Sequence, residues 1–125
     1  MDKTNTFVWV EIPVNDMERA ATFYERVLNV KLHYVDFGNH QMAWFPNQGN
    51  AHGATGSLVK YESYVPCKEG TLVYFHSEDV QIELDRVEVA GGSIYQQKTQ
   101  ITEDHGYMGV FIDSEGNRVA LHSQK

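Results

Sequence analysis

Glu11, His76 and His122 are the side chains of this 125-residue chain whose type and surroundings best suit them to move a proton. Glu11 interrupts the apolar run Phe7–Val14, His76 closes the run Thr71–His76, and His122 lies three residues from the C-terminus. A carboxylate that meets an imidazole can work as an acid–base pair. Each residue also has a plainer reading. Glu11 is equally an anchor for a cationic ligand group, or a solvated strand residue paired with Arg118 or another cation. His76 also reads as a strand end in water, and His122 as part of a fraying terminus. Trp9, two residues before Glu11, is either packing or a platform for a planar or cationic ligand. His105 falls in a turn, Glu103–Gly106. His33, His40 and His52 have no converging partners that spacing can show.

The elements that position these residues come in two similar sets. From Phe7 to Val14 the residues alternate, with Val8, Val10 and Ile12 on one face and Trp9, Glu11 and Pro13 on the other, the period of a strand. Asn15 with Glu18 fits a capping box. Met17, Ala20, Ala21, Phe23, Tyr24, Val27 and Leu28 then recur at helical spacing up to Asn29. Thr71–His76 alternates in the same way, Ser77–Asp79 can cap, and Val80, Leu84, Val87 and Ala90 carry a helical stripe that Gly91-Gly92 stops. Matching Asp16 to Asp79 sets a repeat offset of 63 residues. Strand-like segments follow each helix. They are Lys31–Phe37, Gln41–Phe45 and Ala54–Val59 in the first half, and Ser93–Ile101, Tyr107–Ile112 and Arg118–His122 in the second. Both halves read β-α-β-β-β.

A module of about 60 residues with one helix buries little core, and two packed copies remedy that. The expected fold is α+β: one domain over residues 1–125, with module one at 1–60, a linker at 61–70 and module two at 71–125. Curved mixed sheet encloses a cavity and the helices lie outside.

Composition narrows the function. Ten Lys and Arg against 17 Asp and Glu give a net charge of −7, which disfavours generic nucleic-acid binding. No run reaches the ~18 apolar residues of a membrane helix. Met1–Thr6 is polar and shows no secretory leader. Cys67 is the one cysteine, so intramolecular disulfides and cysteine-based zinc sites are excluded, and a cytoplasmic location is the default expectation. Asp113–Asn117 is a structural turn with too few donors for calcium. Gly91-Gly92 follows a helix and so cradles no phosphate.

The segments Glu11–Tyr24, Asp79–Gly92 and Asp113–His122, with the duplicated β-α-β-β-β order, resemble the vicinal oxygen chelate superfamily of glyoxalases, bleomycin-resistance proteins and extradiol dioxygenases. Metal-using members of that group place ligands seven residues before the capping Asp and three residues after the Asn of the Gly-Asn turn. Here those positions hold Trp9, Leu72 and Ala120, with Ser57 the first-half equivalent of Ala120. Only Ser57 carries oxygen, so the resemblance implies a member without the usual metal, and no metal or other cofactor is expected.

Two steps along the same four strands come Glu11, Val59, Tyr74 and His122, and two further Pro13, Tyr61, His76 and Gln124. The strands of Glu11 and His122 are expected to be neighbours. The catalytic candidates are therefore Glu11, His76 and His122, and the ligand-binding candidates Trp9, Tyr74, Tyr61 and Arg118. The resemblance implies a homodimer that binds a small organic molecule in an acidic, aromatic cavity. The alternative is a lyase, isomerase or related enzyme acting on a small carbonyl or oxyanion substrate through Glu11 and His76 or His122, with or without a displaced divalent metal.

Overall fold

The computed structural model describes residues 5–125; the first four residues of the polar N-terminal stretch lie outside the described part. Strand β1 (Trp9–Pro13) leads into helix α1 (Met17–Leu28), then β2 (His33–Asp36), β3 (Gln41–Trp44) and β4 (Thr55–Lys60). The second set is β5 (Tyr74–His76), α2 (Val80–Ala90), β6 (Ser93–Thr102), β7 (Gly106–Ile112) and β8 (Arg118–Ser123). They form two four-stranded mixed sheets with the same strand order, β1-β4-β3-β2 and β5-β8-β7-β6. In each, the first strand runs parallel to the last and the other pairs are antiparallel. The register pairs Glu11 with Ser57 in the first sheet and Tyr74 with Ala120 in the second.

Helix α1 forms because its apolar residues fall on one face. Met17, Ala20, Ala21, Phe23, Tyr24 and Val27 are all buried. The cap is Asp16, whose carboxylate accepts from the Arg19 amide at 3.0 Å, and not the expected Asn15. The Asn15 and Asp16 amides instead donate to Glu115 Oε1, each at 2.9 Å, so a residue 100 positions away takes the donor that the capping box would have used. Asn29 ends the helix at φ 55°, the left-handed conformation that Asn tolerates. Helix α2 is capped by Asp79 and stopped by Gly91 at φ 112°. The strand expected from Phe7 starts at Trp9, leaving Phe7 and Val8 more than 70% exposed.

Each helix covers one face of its own sheet and the two helices pack on each other, so the modules share one core. The buried Tyr24 ring meets the half-buried Phe45 and Phe75 at the edge of this core, with ring centroids 5.6–5.8 Å apart. Polar ties, one of them buried in the core, join the modules. Tyr24 Oη donates to Asp113 at 2.6 Å, Asn117 Nδ2 to the Pro13 carbonyl at 2.8 Å, and Arg86 Nη1 to the Val27 carbonyl at 3.0 Å. Arg19 grips Glu115 through two hydrogen bonds of 2.7 and 3.0 Å. The face of each sheet away from its helix carries the candidate residues. Among the described residues no helix is long and apolar enough to cross a membrane.

Candidate functional site

Alternation along β1 puts Trp9 and Glu11 on the open face, while Val10 and Ile12 face the core. Their register partners continue that face onto Thr55 and Ser57 of β4, Trp44 of β3 and His33 of β2. Trp44 meets both Trp9 and His33 at centroid distances of 6.1 Å, edge-on to Trp9. Trp9 Nε1 donates to Glu11 Oε2 at 3.3 Å.

On the other side of Glu11 stands a second aromatic run. The linker turns back where the Tyr64 amide donates to the Tyr61 carbonyl at 3.0 Å, which sets the two rings edge to face at 5.4 Å. His40 meets Tyr61 edge-on at 5.7 Å and stacks on Phe37 at 5.0 Å. Glu11, Asn39, His40, Val59, Tyr61 and Tyr64 enclose a depression of about 290 Å³. The Glu11 charge holds the Tyr64 phenol above its ordinary pKa. No Lys or Arg among the described residues forms an ion pair with Glu11. Ser57, opposite Glu11, is fully buried and its hydroxyl has no hydrogen-bond partner. Tyr64, Trp44 and His40 were not among the sequence candidates. Trp44 was legible from strand alternation, but the linker tyrosine carried no periodic signal.

The second sheet presents a separate set. Tyr74, His76 and His122 share the open face, with His76 and His122 as direct register partners across β5 and β8. With Phe75, Ile101 and His105 they line a shallow depression of about 490 Å³. His122 Nε2 lies 2.6 Å from the His105 carbonyl, which makes Nε2 the protonated nitrogen and leaves Nδ1 as the basic one. His76 lies 3.7 Å from Glu78, with both side chains in water. Contrary to expectation, the strands of Glu11 and His122 are not neighbours. β1 pairs only with β4 and β8 with β5 and β7, so one chain does not bring Glu11 to either histidine. Arg118 does not reach Glu11 either. Its guanidinium lies 5.9 Å from the Tyr95 ring centroid and hydrogen-bonds the Gly70 carbonyl at 3.5 Å. On the core side of β1 lies a third, mainly apolar cavity of about 430 Å³, lined by Val10, Leu28, Val30, Phe45 and Phe75 among others.

A model of the glyoxalase/bleomycin resistance protein/dioxygenase superfamily matches residues 6–121. The chain belongs to this superfamily. A glyoxylase-like domain-containing protein of Didymella fabae is 28% identical over 115 residues, covering 90% of this chain and 88% of that protein. Among solved structures, glyoxalase I from Zea mays superposes with a TM-score of 0.72 at 22% identity over 93% of this chain. This chain spans only 45% of the maize protein. TnmS3, an antibiotic binding protein from Streptomyces sp. CB03234, superposes with a TM-score of 0.66 at 20% identity over 99% of this chain and all of that one. At these identities the structural likeness shows the shared fold.

The metal that serves much of this superfamily can be tested against the donors present. Trp9, Leu72, Ser57 and Ala120 offer one hydroxyl between them. Among the described residues no three His, Cys, Asp or Glu side chains converge. A divalent ion prefers several imidazole or carboxylate ligands, so the donors of this superfamily member do not fit it.

Proposed function

We propose that the protein binds a small organic molecule on the open face of its first sheet and works by capture. One observation carries this reading: the Glu11 carboxylate lies between two aromatic runs and has no cationic partner among the described residues. Aromatic side chains supply contact area, and a few polar atoms fix orientation. That TnmS3, a protein of the same fold, is an antibiotic binding protein lends support. The net charge of −7 favours a neutral or cationic ligand over an anionic one.

A homodimer fits this reading. β1 and β5 are both edge strands, each with one side unpaired, and such edges can be continued by another strand. A partner that continued β1 would extend the face that carries Glu11. A cytoplasmic location goes with the single unpaired cysteine, Cys67.

Both tryptophans of the chain stand on this face, so their emission reports its occupancy directly. A panel of cationic, neutral and anionic aromatic compounds, read by fluorescence and repeated by calorimetry, tests the proposal. Saturable binding that Trp9→Ala weakens at least tenfold is expected. Binding that is indifferent to Trp9 and Glu11, or no binding at all, would sink it.

The enzyme reading keeps one specific support, the His76–His122 cross-strand pair with its basic Nδ1. For Glu11 to work with either histidine, a partner subunit must bring its second sheet against the first. Turnover of a small carbonyl substrate, lost in both Glu11→Gln and His122→Gln, would favour this reading over capture.

A further inference from the structure

On the reading of the open face as a ligand site, we infer that the Glu11 depression is a receptor for an alkylated ammonium group. The ligand of this protein would then be a small molecule carrying a quaternary or tertiary amine. Four features point to that chemistry. The carboxylate supplies a full negative charge that nothing else in the described chain neutralises. Tyr61 and Tyr64 stand edge to face at 5.4 Å beside it, so they present differently directed ring surfaces to one small volume. Val59, Asn39 and His40 complete the wall without adding a fixed cation. The volume, about 290 Å³, lies at the lower limit for ligand pockets and suits a head group more than a whole drug-sized molecule.

A primary ammonium could be satisfied by the carboxylate alone. An alkylated one carries few or no N–H donors and spreads its charge over methyl groups, so it gains most from ring faces. This wall sets the Tyr61, Tyr64 and His40 rings and the Val59 side chain around Glu11, and its one amide, Asn39, turns its oxygen to His40 Nδ1 at 2.8 Å. The remainder of such a ligand would lie along β1 toward Trp9 and Trp44, which continue the same face.

Choline and its uncharged carbon isostere 3,3-dimethyl-1-butanol provide the test, titrated into the full chain while tryptophan emission is followed. Choline should bind saturably, and the isostere at least tenfold more weakly. Glu11→Gln should weaken choline about tenfold, and Tyr61→Ala with Tyr64→Ala several-fold. These residues are exposed or half-exposed and lie outside the core, so a melting curve close to wild type should accompany each loss. Equal binding of choline and the isostere, or choline binding untouched by Glu11→Gln, would overturn the inference. A neutral and an anionic naphthalene probe run in parallel separate the two readings. If either binds at Trp9 and choline does not, the ammonium inference falls and the ligand site stands. If nothing binds, both fall.

Discussion

Glu115→Gln tests how the two modules are held together. Burial alone would push this carboxyl up, yet it lies at about 2, below its ordinary 4.5, because Arg19, Ser114 and the Asn15 and Asp16 amides all donate to it. A shift of that size corresponds to about 3 kcal/mol. Arg19 is 54% exposed, so water screens part of the pair, and a contribution of about 1.5–2 kcal/mol is the better figure. Glutamine keeps an oxygen for the two amides but loses the charge and the two-pronged grip of Arg19. At neutral pH the melting temperature should fall by roughly 5–10 °C, for a chain of this size. The pH dependence has a definite sign. A carboxyl with a lowered native pKa stabilises the fold fully above its unfolded value and loses that contribution as pH falls toward its native value. The gap between wild type and variant should therefore be full above pH 4.5 and close progressively as the pH falls toward 2. Scanning calorimetry across that range measures it. Equal melting temperatures at neutral pH, or a gap that stays constant into acid, would refute the reasoning.

Other substitutions probe the frame and the site. Gly56→Ala should abolish folding or cost more than about 3 kcal/mol, because a Cβ there would lie 1.9 Å from the Val10 carbonyl oxygen across β1 and β4. Gly49→Ala, with open space around it, should leave the circular dichroism melt unchanged. Tyr24→Phe removes the 2.6 Å bond to Asp113 inside the shared core and should cost about 1–3 kcal/mol by chemical denaturation. Glu11→Gln should move the Tyr64 phenol back toward its ordinary value, visible as earlier ionisation in an ultraviolet pH titration against wild type.

Period and turn chemistry made most of the frame legible. Both helices, their stops at Asn29 and Gly91, and the open-face position of Trp9 and Glu11 follow from local spacing. What sequence reading missed depends on partners far along the chain. Asn15 has the composition of a cap, but Glu115 occupies its amide. The strands of Glu11 and His122 fall in separate sheets, which no local pattern reports. Tyr64 sits in an aperiodic linker, and only the tight turn at Tyr61 brings it to Glu11. Glu115 passed as one residue of a structural turn because its partners at positions 15, 16 and 19 belong to the other module.

The linker is both the tether between the modules and one wall of the depression. Beyond Tyr64 it is tied down at few points, the Cys67 amide on Asn117 Oδ1 at 3.1 Å and the Gly70 carbonyl on Arg118. The modules dock through other residues altogether. Inserting or deleting a residue near Val65 would thus re-aim the two tyrosines while the shared core stayed intact, since surface connections absorb length changes at small entropic cost. Descendants of such a chain could change what they bind through the length of one connecting segment, leaving every core position untouched.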